Sequence, residues 1–404
     1  MNKERLLARL GELAEVGAIG GGGVCRIALS DADMAGRDLV MSWMKQLDMS
    51  VTVDRIGNVV GVRAGLEDAP PVMTGSHIDT VATGGRYDGN LGVLAGLELV
   101  QVLAENDHVT KRPIAVGFFT NEEGARFAPD MMGSGVHQGM LSLSECLAAT
   151  DRDSISVGEE LHRIGYAGSA PCPGVVPGAF VELHIEQGPV LEREGIAIGA
   201  VDCVQGISWT EVSITGVSNH AGTTPMSMRH DANFAAAELT TFVRRLALEI
   251  GGSQVATVGF VQLSPNLVNV VPNRATMTID LRNTDEAILQ EAEQRTFDFA
   301  EQLAAKEGVE IEWRSLVRFE PVTFAEDVVA SVEAAATKLG HSVRRMPSGA
   351  GHDAQMFAPN CPAGMIFVPS RGGISHNVAE HTDPDQIEAG ANVLLQVVLG
   401  FADE

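Results

Sequence analysis

The sequence predicts an α/β protein in which a smaller α+β domain is inserted into the first domain. At 404 residues the chain exceeds the size of one average domain. Its apolar strands alternate with helices, which is typical of a sheet covered by helices on both faces. From Ser208 the predicted order becomes strand, helix, strand, strand, helix, strand, the ferredoxin-like arrangement. We therefore expect residues 1–207 and 321–404 to form one domain around an inserted domain of residues 208–320.

The first elements are two amphipathic helices followed by a β-hairpin. Leucines at helical spacing between residues 6 and 13 predict a helix at the start of the chain. A second helix is predicted over Ser30–Leu47, with Ser30 as its N-cap. Two runs of β-branched residues between positions 51 and 62, separated by a Gly-Asn pair, predict the hairpin.

The remaining elements follow from apolar runs and helical periodicity. In the first domain they are a strand before His77, a helix Leu91–Leu103, strands Pro113–Thr120, from Ala179 and Ala363–Val368, a helix Phe324–Leu339 followed by a short strand, a loop Met346–Asp353 and a closing helix from Asp383. In the inserted domain they are strand Ser208–Gly216, helix Asp231–Glu249, strands Val255–Leu263 and Arg274–Leu281, helix Glu286–Lys306 and strand Val309–Trp313. The inserted domain holds no candidate metal ligand, which supports its treatment as a separate unit.

Composition excludes several classes of partner. The formal net charge of -25 disfavours nucleic acid and anionic membrane surfaces, which bind clustered Lys and Arg. No apolar run approaches the roughly 20 residues of a membrane span, and the first helix has no uninterrupted apolar core of the kind that a secretory signal requires. The five cysteines are scattered without a Cys-x-x-Cys pair, which argues against a disulfide framework and a thiolate zinc site. We expect a cytoplasmic enzyme that acts on a small molecule.

A histidine and a carboxylate follow the first apolar strand. His77 and Asp79 are two residues apart, so on extended backbone both side chains leave the same face. This spacing suits a site in which one ring nitrogen of His77 binds a metal and the other donates to the Asp79 carboxylate. Asp88, in the next turn, is then a candidate second ligand. A hydrogen-bonded pair in a loop is the alternative interpretation of the same pattern.

Two adjacent carboxylates, Glu122 and Glu123, follow the strand that ends at Thr120. Because the loops after parallel strands gather at one edge of a sheet, we expect them near His77. One glutamate can then bind a metal while its neighbour transfers protons. Two solvated carboxylates on a surface loop are the alternative.

Two further histidines complete a possible ligand set. His184 lies near the end of a predicted strand, and His376 lies in a Gly-rich turn close to the C-terminus. Together with His77, Asp88 and Glu123 they offer five nitrogen and oxygen ligands without cysteine. Such a set is sufficient for two divalent ions that share one carboxylate.

Seven motifs along nearly the whole chain point to one family. They are Gly75-Ser-His-Ile-Asp-Thr80, Asp88-Gly89, Asn121-Glu-Glu-Gly-Ala-Arg-Phe127, Glu182-Leu-His-Ile-Glu-Gln-Gly188, Ser218-Asn-His-Ala-Gly-Thr-Thr-Pro225, Asn269-Val-Val-Pro272 and Gly373-Ile-Ser-His-Asn377. In these motifs the sequence resembles the dinuclear metal amidohydrolases of the M20 peptidase group. Within that group it is most similar to the branch that acts on ureido compounds, namely N-carbamoyl-L-amino acid hydrolases, β-ureidopropionases and allantoate amidohydrolases. The assignment to this branch rests on His184 together with Gln187, because peptidase relatives commonly have a carboxylate at the position of His184.

The resemblance implies a mixed-sheet, metallopeptidase-like catalytic domain and an inserted ferredoxin-like dimerisation domain. It implies two divalent ions per subunit, Zn, Mn, Co or Ni. The implied ligands are His77, Asp88 and His184 for one ion and Asp88, Glu123 and His376 for the other. Glu122 becomes the general base, and Asp79 stays beside His77 as a catalytic residue.

The resemblance also implies how a ureido substrate is bound. His220 resembles the family histidine that reaches the active site of the partner subunit in a homodimer and stabilises the oxyanion. Arg282 resembles the residue that grips the substrate carboxylate, with Asn269 and Gln187 as further polar contacts. The backbone around Gly349 and Ala350 is expected to complete the carboxylate site.

The leading hypothesis is hydrolysis of an N-carbamoyl-L-α-amino acid to the amino acid, carbon dioxide and ammonia. Hydrolysis of allantoate or of N-carbamoyl-β-alanine is the nearest alternative, and an M20 aminopeptidase or dipeptidase is a more distant one. A binding protein that had lost activity is expected to lack Glu122 or a ligand, and none is missing. His352 and Asp353 have no assigned role, because a structural role explains them equally well.

Overall fold

The computed structural model describes residues 1–404. They divide into a first unit, Met1–Asp202 with Thr323–Glu404, and a second unit, Cys203–Val322. The second unit begins five residues before and ends two residues after the inserted domain that we delimited at 208–320. None of the helices combines the length and the apolar character that a membrane span requires.

The secondary structure consists of fifteen strands and twelve α-helices. The strands are β1 (Ser50–Val53), β2 (Val59–Arg63), β3 (Val72–His77), β4 (Ile114–Phe119), β5 (Ala179–Ile185), β6 (Ile198–Val204), β7 (Gly206–Thr215), β8 (Asn219–His220), β9 (Val255–Ser264), β10 (Val270–Val271), β11 (Arg274–Asn283), β12 (Glu310–Phe319), β13 (Val322–Thr323), β14 (Val343–Ser348) and β15 (Ala363–Val368). The helices are α1 (Lys3–Glu15), α2 (Asp31–Gln46), α3 (Asn90–Glu105), α4 (Met132–His137), α5 (Leu143–Ala148), α6 (Val157–Arg163), α7 (Val190–Glu194), α8 (Ala232–Ile250), α9 (Glu286–Glu307), α10 (Glu326–Lys338), α11 (Asp353–Phe357) and α12 (Pro384–Asp403).

The first unit is built on a nine-stranded mixed sheet with the order β1-β2-β4-β3-β5-β15-β6-β13, and β14 pairs with β6. The pairs β3–β4, β3–β5 and β5–β15 are parallel, whereas β1–β2, β2–β4 and β15–β6 are antiparallel. Every residue of β3, β4, β5 and β15 is buried, as predicted for strands covered on both faces. Because these four strands are parallel, their carboxyl ends lie at one edge of the sheet.

Local sequence patterns predicted two helices and a hairpin of the first unit. The leucines of α1 at positions 6, 10 and 13 are all buried on one face. Ser30 caps α2, because its side chain accepts the backbone N–H of Asp33. Strands β1 and β2 pair as the predicted hairpin. These predictions are confirmed.

The second unit contains a four-stranded antiparallel sheet in the order β12-β7-β11-β9. Helices α8 and α9 cover one face, and their apolar side chains share a core with Val212, Ile214 and Met277 of the sheet. The chain order β7, α8, β9, β11, α9, β12 confirms the predicted ferredoxin-like order. Strand β9 lies at the edge and exposes large apolar side chains, including Phe260 and Val261.

Several short elements were not predicted, among them β6, β13 and the ribbon of β8 with β10. The short strand predicted after the helix Phe324–Leu339 is confirmed as β14, but the loop predicted over Met346–Asp353 is shorter than expected, because β14 continues to Ser348 and α11 begins at Asp353. Strand β14 therefore includes Pro347. A proline is nevertheless tolerated in a strand with a free side, and β14 pairs only with β6.

Candidate metal centre

Five candidate ligands meet at the carboxyl edge of the first unit's sheet. His77 is the last residue of β3, and His184 is the last but one of β5. Glu123 follows β4, His376 follows β15 after a loop, and Asp88 lies in the turn before α3. Parallel strands therefore gather residues that lie up to about 300 positions apart in the chain.

The first ligand group consists of His77, Asp88 and His184, all buried. His184 Nε2 lies 3.1 Å from Asp88 Oδ1, and His77 Nε2 lies 3.6 Å from the same oxygen. The other ring nitrogens face carbonyl oxygens, with His77 Nδ1 2.9 Å from Asp79 O and His184 Nδ1 2.8 Å from Ile185 O. Because a carbonyl only accepts, each Nδ1 carries the proton, which leaves both Nε2 atoms to act as ligands.

The second ligand group consists of Asp88, Glu123 and His376. His376 Nε2 lies 3.2 Å from Glu123 Oε2 and 3.5 Å from Asp88 Oδ2. The two oxygens of Asp88 thus face different groups, Oδ1 the first and Oδ2 the second. The side chain of His376 is 53% exposed, whereas the ligands of the first group are almost completely covered.

The two groups fit divalent transition-metal ions. The Nε2 atoms of His77 and His184 lie beside an anionic carboxylate, and only a proton or a metal ion makes that arrangement favourable. Burial alone lowers the pKa of both imidazoles, but Glu122 and Asp88 raise the pKa of His77 well above its usual value, and Asp88 raises that of His184. The same negative field attracts a metal cation, and imidazole with carboxylate is a donor set that Zn, Mn, Co and Ni accept.

The predicted role of Asp79 as the acceptor for His77 was wrong. The His77 ring meets the backbone carbonyl of Asp79 and not its carboxylate. Strand β3 ends at His77, so the extended geometry that would place both side chains on one face does not continue. The buried Asp79 carboxylate instead accepts the backbone N–H groups of Glu122 and Glu123, both at 3.3 Å, and burial raises its pKa to about 6. Asp79 therefore holds the turn that carries the two glutamates.

Glu122 lies beside the first ligand group without belonging to it. Its Oε2 is 3.3 Å from His77 Nε2, and the residue is buried. Burial raises the pKa of Glu122 well above its usual value, although His77 opposes the shift. The preceding residue, Asn121, has a left-handed backbone with φ 57°, a conformation that is enriched at functional sites.

Gln187, predicted to contact substrate, also contacts the shared carboxylate. Its Nε2 donates to Asp88 Oδ2 at 2.9 Å. Its backbone is left-handed, with φ 58°. Its Oε1 is buried and has no hydrogen-bond partner in the chain, so an acceptor is left over at the site. Substrate contact by Gln187 stays a prediction.

Sequence reasoning missed three polar residues around the ligands, namely Ser375, Glu380 and Glu182. The Ser375 hydroxyl lies 2.9 Å from Asp88 Oδ2. The buried Glu380 accepts backbone N–H groups from the Asp88 turn. Glu182 is buried two residues before His184, on the same face of β5. Only Glu182 had a signal in the sequence, since it is a charged residue inside an apolar strand.

The segment with Gly349 and Ala350 lies next to His184 through His352. The rings of His352 and His184 pack edge to face, with centroids 4.6 Å apart, and His352 Nε2 is 2.8 Å from Ser348 Oγ. Burial lowers the pKa of His352 well below its usual value, so the ring stays neutral. The backbone N–H of Ala350 is bonded to Ser348 Oγ at 3.1 Å. His352 thus packs against the ring of His184, one of the candidate ligands.

The residues of the inserted domain that we predicted to contact the substrate lie in the second unit. His220 pairs with Val270 in the β8–β10 ribbon, and Asn269 directly precedes β10 and accepts the backbone N–H of Ala221 at 2.9 Å. His220 is exposed, and its Nδ1 accepts the backbone N–H groups of Gly222 and Thr223. Its Nε2 therefore carries the proton and can donate a hydrogen bond.

Arg282 lies on β11 of the second unit and has a carboxylate partner in its own chain. Its Nε is 3.0 Å from Asp280 Oδ1, and its Nη2 is 2.9 Å from Asp280 Oδ2. The guanidinium also stacks over the Trp209 ring at 5.7 Å. The Arg282 guanidinium is thus paired with Asp280, and its contact with a substrate carboxylate stays a prediction.

Known proteins resemble the chain along its whole length. The sequence profile of peptidase family M20/M25/M40 matches residues 73–400. N-carbamoyl-L-amino-acid amidohydrolases from Rhizobium meliloti and Geobacillus stearothermophilus are 42% and 40% identical, covering 100% and 99% of this chain and 97% and 98% of theirs. Allantoate amidohydrolase from Bacillus subtilis (strain 168) is 34% identical, over 96% of this chain and 95% of its own.

A solved structure agrees with these relatives. The crystal structure of an amidase of the hydantoinase/carbamoylase family from Burkholderia multivorans matches with a TM-score of 0.96 and 46% identity, and the match covers 100% of this chain and 98% of that chain. The chain therefore belongs to peptidase family M20/M25/M40, in the branch of the N-carbamoyl-L-amino-acid and allantoate amidohydrolases that its motifs predicted.

Proposed function

We propose that this chain is a metal-dependent amidohydrolase that cleaves the carbamoyl C–N bond of N-carbamoyl-L-amino acids. The products are the L-amino acid, carbon dioxide and ammonia. The observation that carries the proposal is the Asp88 carboxylate, whose two oxygens face two ligand groups, with Glu122 beside the first. The full-length likeness to N-carbamoyl-L-amino-acid amidohydrolases supports the substrate class.

The ureido carbonyl is a poor electrophile because both of its nitrogens donate electron density into it. Its hydrolysis needs a strengthened nucleophile and a polarised carbonyl oxygen. Two divalent ions, held by the two ligand groups, supply this polarisation when bound and lower the pKa of water toward ~7. We propose Zn, Mn, Co or Ni, because mixed imidazole and carboxylate ligands suit all four.

Glu122 is proposed to take a proton from the attacking water and to return it to the leaving nitrogen. It lies outside both ligand groups, so its carboxylate is free to change its protonation state. Burial raises the pKa of Glu122, which makes it a stronger base than an exposed glutamate. One water is added across the C–N bond, which gives the amino acid and carbamic acid, and the latter breaks down to carbon dioxide and ammonia.

Substrate recognition is proposed to use residues outside the two ligand groups. The unpaired Oε1 of Gln187 suits an N–H donor of the ureido group. The Nε2–H of His220 suits the developing oxyanion, with His220 supplied by the partner subunit. Arg282 and Asn269, with the backbone of Gly349 and Ala350, are proposed to bind the carboxylate of the substrate.

A cytoplasmic homodimer built through the second unit is proposed as the working assembly. Edge strand β9 pairs with β11 on one side only. Its side chains Val255, Phe260 and Val261 are exposed, although they are large and apolar. An open edge with exposed apolar groups favours pairing across a two-fold axis.

Hydrolysis of allantoate is the second candidate, because the allantoate amidohydrolase of Bacillus subtilis (strain 168) is 34% identical over nearly the whole chain. Values of kcat/KM for N-carbamoyl-L-methionine, N-carbamoyl-β-alanine, allantoate and a dipeptide separate the candidates. We expect the highest value for N-carbamoyl-L-methionine. A higher value for allantoate or for N-carbamoyl-β-alanine would replace the proposed substrate within the ureido class, and a preference for the dipeptide would overturn that class.

A further inference from the structure

The turn that carries Asp88 is bound to a distant, buried glutamate. Glu380 Oε1 accepts the backbone N–H of Tyr87 at 2.9 Å and that of Asp88 at 3.2 Å. Glu380 is 6% exposed. A Cβ at Gly85 would lie 2.1 Å from the same oxygen, so the carboxylate packs directly against the backbone of this turn. Glu380 thus fixes the main chain on which the shared ligand is carried.

The second oxygen of Glu380 reaches the segment that carries His376. Glu380 Oε2 is 3.0 Å from Ser375 Oγ, and the same hydroxyl is 2.9 Å from Asp88 Oδ2. Ser375 directly precedes His376 in the chain. One carboxylate therefore ties together two segments that lie more than 280 positions apart and that each supply a ligand.

The two ligand groups differ in how firmly their histidines are held without the contacts of Glu380 and Ser375. His77 and His184 lie in fully buried strands, and each ring is fixed by a hydrogen bond from Nδ1 to a carbonyl. His376 lies in a loop, is 53% exposed at its side chain and has a left-handed backbone with φ 53°. Ser375 and Glu380 connect the loop of His376 to the turn of Asp88.

We infer that Glu380, acting with Ser375, is a positioning residue that assembles the second ligand group, although neither side chain is a ligand. This inference rests on the proposed pair of metal ions. Partners of metal ligands typically change metal affinity by about 10- to 100-fold when they are removed. Glu380→Ala should therefore weaken the second ion by about that factor and the first ion by less.

Glu186 offers a matched control. It is also a buried glutamate at the same edge of the sheet, 9% exposed, and its oxygens accept the backbone N–H groups of Val190 and Leu191 at 2.7 and 2.9 Å. It supports α7 and belongs to neither ligand group. Glu186→Ala thus removes an equivalent buried carboxylate without touching the Asp88 turn.

The experiment is a Zn²⁺ titration of the metal-free full-length chain against a chromophoric chelator, with metal content measured after equilibrium dialysis. Glu123→Gln, which alters a ligand of the second group only, identifies the binding step that belongs to that group. Glu380→Ala should weaken this same step, Glu186→Ala should not, and Glu380→Gln, which keeps an acceptor for both backbone N–H groups, should retain most of the affinity. Circular dichroism and thermal melting check that each variant folds.

If Glu380→Ala does not fold, Ser375→Ala replaces it, because this change removes only one hydroxyl. Wild-type affinity for the second ion in a folded Glu380→Ala or Ser375→Ala variant overturns the inference and leaves the proposed function intact. An equal loss in Glu186→Ala also overturns it, since the effect would then be general destabilisation. Uptake of fewer than two ions by the wild-type chain overturns both the inference and the two-metal part of the proposed function.

Discussion

Replacing Glu122 by glutamine tests the proposed chemistry with almost no change in shape. The Glu122 carboxylate lies 3.3 Å from His77 Nε2 but in neither ligand group, so Glu122→Gln should keep both metal ions. The amide cannot accept the proton of water. General base catalysis contributes about 10²- to 10⁴-fold, so kcat should fall by that factor, which corresponds to roughly 3–5 kcal/mol of activation free energy.

The structure argues for the upper part of this range, because the two carboxylates nearest to Glu122 in its turn, those of Asp79 and Glu123, have other partners. The Asp79 carboxylate is engaged by the backbone N–H groups of Glu122 and Glu123. The neighbouring Glu123 belongs to the second ligand group. The backbone bond from residue 122 to Asp79 survives the substitution, so the turn should keep its shape.

The assay combines release of the amino acid with elemental analysis of the same sample. Glu123→Gln is the matched control, since it makes the same change at the adjacent position but should lose part of the second ion and regain activity in excess metal. Swapped phenotypes would show that the two glutamates have the opposite roles. A Glu122→Gln variant with near wild-type kcat and two bound ions would refute the base assignment itself.

Three further predictions address the metal, a buried carboxyl group and the assembly. Dialysis against a chelator should abolish activity and added Zn, Mn, Co or Ni should restore it, whereas full activity of verified metal-free protein would contradict this. Burial raises the pKa of Asp353 from 3.8 to about 8, so its stabilising contribution is complete below about pH 4 and declines as the pH rises toward 8. In urea unfolding of the metal-free chain, the free energy of unfolding of Asp353→Asn should no longer show this decline with pH. An unchanged slope of the unfolding free energy against pH would refute the prediction. Mixed His220→Ala and Glu122→Gln subunits should recover up to about half of the activity per heterodimer, and no recovery after proven subunit exchange would place His220 in its own active site or outside catalysis.

The edge of the sheet that gathers the ligands could be predicted from local patterns. Strands β3, β4 and β5 begin with apolar residues and are buried throughout, and polar residues appear where each strand ends. Parallel strands bring such ends together, so His77, Glu123 and His184 could be placed near one another without knowledge of any long-range contact. The same reasoning was sufficient for the core of the second unit, whose elements follow one another as regular strands and helices.

Side-chain partners could not be predicted in the same way. The alternation rule placed Asp79 on the face of His77, but it holds only on extended backbone, and β3 ends at His77. Glu380 meets the Asp88 turn 292 positions away, and no periodic pattern encodes such a contact. The left-handed backbone of Gln187 is also invisible in the sequence, because nothing marks this glutamine as an exception among residues that avoid positive φ.

The shared carboxylate is held in place by the chain itself. Asp88 Oδ2 accepts hydrogen bonds from Gln187 and Ser375, both at 2.9 Å, and the backbone N–H of Asp88 donates to Glu380. Burial favours the protonated acid, but the two buried histidines beside Asp88 outweigh this effect and hold the pKa of Asp88 well below its usual value. A ligand that is already anionic and already fixed loses little conformational entropy when it binds a cation. Substitutions at Gln187, Ser375 or Glu380 should therefore alter metal binding without touching an ion, and for Ser375 and Glu380 the second ligand group should respond more strongly than the first, because its histidine lies in a loop.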